Sequence, residues 1–392
     1  MTQLTPDIAA AAAAGVYGLR ENSLSAMAAR GRTLGVESFF DVGGDARMTG
    51  SSGIGIFRAS TGFGYVARGR EGTPYAGDLL IATRGTHMPS AHDWLSNFNI
   101  ALETGPGIGL VHAGFNRLRE TMLRQLDQAL EQQRGVRAVH TVGHSLGGAL
   151  AVLNAADLKR RGFAEVNCYT FGAPRVGDLA FTIWFNQALG ANNIRRVYHP
   201  ADPVPMIPLF PFFHAPLRSG IALPNTDGAL VNPDFHSMGD VYRARVAGQS
   251  WAQLSAAGVA PDSGLRLQAW LAQTGVTNRF VMGSARLLGL IADALAWVIR
   301  TSASVVVGGA LTVGATLLDR IAQLIESGAA ASIEIGRAMQ TVIGAIFRFL
   351  GRAAVAVANM TAQFLRWILG LLFNAVATAG RHALEGLDRM RL

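Results

Sequence analysis

The chain has 392 residues, a formal net charge of +8, 50% hydrophobic residues and only 15% charged ones. That length exceeds one ordinary hydrophobic core, so a domain of about 250 residues plus a second region is expected. The basic residues are almost all arginine, with Lys159 the only lysine, and no dense basic run is interleaved with aromatics, which argues against nucleic acid as a partner. One cysteine, Cys168, excludes an intrachain disulfide.

The opening "MTQLTPDIAAAAAAGVYGLR" has an alanine run but no basic segment ahead of it, and Asp7 precedes the run. The expectation is a helix capped near Thr5–Pro6–Asp7 rather than a Sec signal peptide, with synthesis in the cytoplasm and either membrane association or export by another route. "GIGIFRAS" and "GFGYVARG" suggest an early hairpin, and "GDLLIATRG" reads as a strand buried on both faces. Residues 115–133 have helical period, with Leu118, Met122, Leu126 and Leu130 on one face. "VRAVHTVG", "VNCYTFG" and "IRRVYH" are strand-like around the helix-like "SLGGALAVLNAADLKRR". This alternation predicts an α/β fold with a mostly parallel central sheet.

Between the first of those strands and its helix lies "GHSLG", which fits G-x-S-x-G with Gly143, Ser145 and Gly147. A serine on a sharp strand-to-helix turn leaves no space for side chains two residues away, and glycine removes the collision. Alone the motif is weak; flanked by a strand and a helix it marks Ser145 as a nucleophile. A serine hydroxyl needs a base, and the base an orienting acid, in the chain order Ser, Asp or Glu, His. Asp202 in "YHPADPVPMIP" follows a strand-like run, whereas Asp178 reads better as a helix N-cap. Among the histidines beyond Asp202, His236 in "PDFHSMGDVY" stands in a polar turn and is the expected base. His214 reads as packed and His144 as structural or pocket wall. The backbone N–H of Leu146 and Thr86 in "LLIATRGTHM" are the expected oxyanion donors.

The ordered segments "ATRGT", "VHAGF", "VGHSLGGALA", "YTFGAPRVGD", "HPADPVPMIP" and "FHSMGDVY" resemble class 3 (fungal-type) lipases of the α/β-hydrolase fold over roughly residues 35–245. The resemblance implies Ser145, Asp202 and His236 as triad, Thr86 and Leu146 as oxyanion hole, a lipid ester substrate, and no metal or organic cofactor. It also matches residues 87–102 to a lid segment with Trp94, Leu95, Phe98 and Ile100 on its apolar face, a plain packed helix being the other reading of that stretch. The Pro-rich "PMIPLFPFFHAPL", containing Phe210 and Phe212, suits an acyl-chain wall.

From residue 281 onward there are ten arginines, six acids and no proline. The expected organisation is a hydrolase domain at 1–250, linker helices at 251–280 and an apolar helical module at 281–392. Projected at 100° per residue, arginines 337, 348, 352, 366 and 381 fall within about 80° of one another, leaving an apolar surface with one polar stripe. Such a surface is buried in a bundle or meets lipid. A membrane surface is therefore an expected partner. A signal-less lipase with an apolar tail and Arg-rich, bacterial-type composition is similar to antibacterial effectors, and that analogy implies a secretion-system or inhibitor protein as partner. An alternative reading makes the tail a membrane-permeabilising agent and the hydrolase domain its platform.

Overall fold

The computed structural model describes residues 2–17, 35–42, 47–52, 59–85, 102–208, 211–217, 220–224, 231–257, 283, 285–305, 317–353 and 360–389. Helix α1, Pro6–Gly15, starts where the caps predict: the Thr5 side chain accepts from the Ile8 N–H, and Pro6 occupies the first turn. Its alanines 9–14 are all buried, because residues this small let the helix lie close on the sheet face.

The sheet is built from β1 (Phe40–Asp41), β2 (Arg47–Ser52), β3 (Ala59–Gly69), β4 (Leu79–Thr83), β7 (Val139–His144), β8 (Val166–Phe171), β9 (Ile194–Tyr198) and β10 (Ile221–Ala222). Its order is β1-β3-β4-β7-β8-β9-β10, with β2 also paired to β3. The strands from β4 to β10 run parallel, and the β1–β3, β2–β3 and β3–β4 pairs are antiparallel. The early hairpin is displaced from the expected position: its first described strand is "RMTGSS", and residues 53–58 of "GIGIFRAS" lie outside the described residues. Serine, threonine and glycine in β2 hide it from any search for apolar runs. A separate small hairpin joins β5 (Leu102–Thr104) to β6 (Leu110–His112).

Helices α2 (Ala113–Glu131), α3 (Leu146–Arg160) and α4 (Leu179–Leu189) form a core with one face of the sheet, in which Phe115, Leu118, Met122 and Leu126 are buried. The expected helical face is thus the packed one, with Leu130 partly buried at its end. On the other face, α1 packs with Tyr169, Phe171 and Tyr242, and α5 (Trp251–Ala257) closes this layer through Leu254.

Four further helices, α6 (Ala285–Val305), α7 (Leu317–Ala331), α8 (Ile333–Phe349) and α9 (Ala362–Arg389), share a third core of Leu, Ile, Val, Ala and Phe. The continuous arginine stripe does not survive as one surface. Chain direction changes after Phe349, where Gly351 adopts φ +67° and the Arg352 N–H bonds the Phe347 carbonyl. Arg348 therefore belongs to α8 and Arg366 to α9, and the projection holds only within each helix. The bundle joins the sheet-containing layer through Ile207, which sits in the bundle core, and through Val231, whose N–H donates to the Gly283 carbonyl. Among the described residues two windows, Leu287–Val305 and Ala362–Ala383, are long and apolar enough to cross a membrane by length and composition.

Candidate active site

The site is assembled at the carboxyl ends of the parallel strands, where loops from different strands converge. Strand β7 delivers Ser145, the loop after β9 delivers Asp202, and a 3₁₀ turn, Pro233–His236, delivers the histidine. Among the described residues Ser145 is the only non-glycine with positive φ, at φ 59° and ψ −133°. A backbone held there stores roughly 1–3 kcal/mol, and it persists only because the strand before it and the helix after it fix both ends. The glycine spacing is explained by contact. A Cβ on Gly143 would enter the backbone of Gly147, and one on Gly147 would enter the backbone of Thr83 and Arg84. A Cβ on Gly85 would lie 2.9 Å from the Ser145 Cβ and 3.0 Å from the His144 carbonyl oxygen. The end of β4 must therefore be glycine to pass under the elbow.

The three side chains that the sequence separates form one row. Ser145 Oγ lies 2.8 Å from His236 Nε2, and His236 Nδ1 lies 2.7 Å from Asp202 Oδ2. A carboxylate only accepts, so Nδ1 carries the proton and Nε2 is left to accept from the serine hydroxyl. Asp202 is anchored from two other directions: its Oδ1 accepts the Val204 N–H at 2.9 Å, and its Oδ2 accepts the Tyr242 hydroxyl at 2.5 Å. All three residues of the row are buried.

Two tyrosines and a histidine behind this row were not singled out as partners by sequence reasoning. Tyr242 lies in a widened π-helical turn, Met238–Arg243, which brings its hydroxyl onto Asp202 and leaves it to accept the His199 N–H at 3.2 Å. Burial, and then the Asp202 charge, push the Tyr242 hydroxyl well above its ordinary range, so it stays a donor. His144 packs its ring 4.6 Å from that of His236. Its Nε2 lies 3.0 Å from the His236 carbonyl, which only accepts, so the proton is on Nε2 and Nδ1 accepts from the Tyr17 hydroxyl at 2.7 Å. Burial, and then the neighbouring His236 ring, hold the His144 imidazole well below its ordinary range, against the bond to that carbonyl. Tyr17 in turn bonds the Gly85 backbone. The motif "FHSMGDVY" already contained Tyr242, but a widened turn has no signature in periodicity.

Leu146 is the first residue of α3, where a backbone N–H has no intrahelical acceptor and points along the positive end of the helix dipole. Its expected partner Thr86 lies outside the described residues, as do Trp94, Leu95, Phe98, Ile100 and Phe210. Phe212 is buried with its ring 5.4 Å from that of His112, which itself stacks on Phe115 at 4.2 Å. Asp178 is a cap and lies outside the row: its side chain accepts the Phe181 N–H at 2.8 Å. His214 is packed, with Nε2 2.8 Å from the Pro205 carbonyl. Cys168 is buried in β8, where burial pushes its thiol up to about 12, so it offers no thiolate at neutral pH.

A serine on a strained elbow with an imidazole base, an oriented carboxylate and a helix N-terminus beneath it is the apparatus of an α/β-hydrolase. Residues 80–212 match the family Lipase (class 3). Over 137 residues the chain is 34% identical to secreted mono- and diacylglycerol lipase 1 of Fusarium solani, covering 33% of this chain and 39% of that protein. It is 31% identical over 156 residues to secreted mono- and diacylglycerol lipase A of Penicillium cyclopium, covering 38% and 49%. With phospholipase A1-II 4 of Oryza sativa subsp. japonica the identity is 29% over 188 residues, covering 40% and 45%. The chain thus spans less than half the length of these relatives. The matched span lies within the layer that carries the site, and that layer has the α/β-hydrolase fold.

Proposed function

We propose that the chain is a serine carboxylester hydrolase acting on lipids, of triacylglycerol lipase or phospholipase A type, which works at a membrane surface through its C-terminal helices. The observation that carries the reading is the bonded row Ser145–His236–Asp202 set on the elbow. His236 Nε2 takes the hydroxyl proton as Ser145 Oγ attacks the ester carbonyl, and Asp202 holds the ring in the required tautomer and stabilises the imidazolium. The Leu146 N–H donates to the oxyanion, and Thr86 is the second donor in this proposal. Collapse of the intermediate returns the proton to the leaving alcohol. Water then attacks the acyl-enzyme with His236 again as base, releasing the fatty acid and the free serine.

Relatives named as glyceride lipases and as a phospholipase A1 support a lipid ester as substrate. Phe212, buried beside His112, fits the apolar wall that an acyl chain needs, where each buried methylene is worth about 0.8 kcal/mol. Mass spectrometry of products from mixed glyceride and phospholipid vesicles tests the proposal. Free fatty acid is expected with the wild type and none with Ser145→Ala; equal release from both would end it.

A further inference from the structure

The helix nearest the histidine turn carries an apolar strip that the bundle only partly covers. Helix α9 packs against Pro233–His236 and against Val204–Met206. On the same helix Phe364, Trp367 and Leu371 follow at spacings of three and four, which places them on one face. Phe364 and Leu371 are half-buried, while Trp367 is 46% exposed. The Trp367 ring lies 5.8 Å from that of Phe364 and 6.2 Å from that of Phe347 on α8. Only 33% of the apolar window Ala362–Ala383 is buried, whereas a helix at the centre of a soluble core would be mostly covered.

Two exposed arginines and one acid stand near this strip. Arg352 is exposed and its N–H bonds the carbonyl of Phe347, whose ring touches Trp367. Arg366, beside Trp367 in the chain, is exposed too, although Asp319 engages it at 3.0 Å. Residues 281–392 hold ten arginines against six acids, so the module is cationic as a whole. An exposed tryptophan among apolar side chains and arginines suits the boundary between acyl chains and acidic headgroups, where the ring sits at headgroup depth and guanidinium groups meet phosphate.

We propose that the Phe364–Trp367–Leu371 face of α9 docks on an anionic phospholipid bilayer and so presents the Ser145 site to it. The docking needs only the strip and its arginines; the consequence for lipid turnover rests on the lipid-hydrolase reading above. Because α9 also rests on the turn that carries His236, docking through this helix brings that turn close to the bilayer. Docking therefore matters for an ester in a vesicle and leaves a dissolved ester untouched.

Sedimentation of the full-length protein with vesicles of ether-linked phosphatidylcholine, with and without ether-linked phosphatidylglycerol, measures docking on lipid that cannot be hydrolysed. The wild type is expected to pellet with the phosphatidylglycerol vesicles and much less with phosphatidylcholine alone. Trp367→Glu should lower that partitioning at least tenfold and Arg352→Glu about threefold. Both should hydrolyse p-nitrophenyl butyrate within twofold of the wild type, and both should lose hydrolysis of ester-linked vesicles in proportion to lost binding. Unchanged partitioning of Trp367→Glu, or equal wild-type binding to both vesicle types, overturns the proposal. So does a lipid-free dimer, seen by light scattering, that Trp367→Glu converts to monomer, since the strip would then belong to a second copy. If Trp367→Glu fails to hydrolyse the dissolved ester, Arg352→Glu carries the test. A wild type that hydrolyses neither ester but docks in the expected way sinks the hydrolase reading and leaves the docking face standing.

Discussion

The two buried regions of this molecule use their interiors in opposite ways. Within the hydrolase layer, Ser145, His236, Asp202, His144 and Thr170 are buried polar groups amid Val, Phe and Tyr, and the row is tied by bonds of 2.7 to 2.8 Å. In the helical bundle, Ser302 is the only buried polar residue among the described ones; the rest of its core is aliphatic and aromatic. Buried polar groups are costly unless every one is satisfied, so they persist where position matters more than stability. An apolar core asks for volume and little direction. The first region is built to hold atoms in place. The second is built to cohere.

The sharpest way to break that contrast is to remove the chemistry and watch the tail. Ser145→Ala should cut ester hydrolysis by at least about 10⁴-fold with the fold intact, and Asp202→Asn by roughly 10³–10⁴-fold through the wrong histidine tautomer. Asp178→Asn keeps an N-cap and should leave turnover within about twofold. Stopped assays on a dissolved ester with circular dichroism check all three. Dye leakage from anionic liposomes adds the decisive arm: leakage that needs Ser145 keeps the activity in the hydrolase layer, whereas full leakage by Ser145→Ala moves it to the helices.

A second prediction concerns pH and separates the regions without any assay of activity. Burial pulls His112 from its ordinary 6.5 down to about 4 and holds His144 well below its usual range. The unfolded chain therefore takes up protons that the folded chain refuses. The stability these neutral rings contribute is fully present above pH 6.5 and drains away as pH falls towards 4. For His112 alone the shift between 6.5 and 4 corresponds to on the order of 3 kcal/mol. Urea midpoints followed by near-ultraviolet signals should fall over this window. His112→Asn should flatten the fall, and a flat wild-type profile would refute the assignment.

Much of this site was legible because its constraints are local in sequence. Gly143 and Gly147 flank Ser145 for a steric reason that any chain with this turn must obey, and Asp178 announces itself as a cap by its place before a helix. Chain order then narrows the acid and the base. What was not legible depends on contacts between distant elements. Tyr17 reaches His144 across 127 positions, and Tyr242 reaches Asp202 only because a π-helical turn rotates it there. With no proline to interrupt it, the sequence after residue 281 suggests one striped surface, yet Gly351 in a left-handed conformation turns the chain. Strand β2 was missed because its pairing with β3, and no apolar pattern of its own, makes it a strand.

The remaining predictions are smaller and grade the two regions by what a single bond is worth. Tyr242→Phe deletes a buried hydroxyl that donates to the Asp202 carboxylate, while the Val204 N–H still holds its other oxygen. Loss of such a charge-assisted bond should cost about 1.5–3 kcal/mol of stability, and turnover should drop about tenfold as the carboxylate loosens its hold on His236. In the bundle, Arg366→Ala deletes the ion pair with Asp319, whose arginine side chain is 56% exposed. Water and salt already screen that pair, so the expected loss is below about 1 kcal/mol and hydrolysis of a dissolved ester should not change. A loss from Arg366→Ala as large as that from Tyr242→Phe, in parallel urea titrations, would mean that the bundle too relies on directed polar contacts. The division between a region that positions atoms and one that merely coheres would then have to be given up.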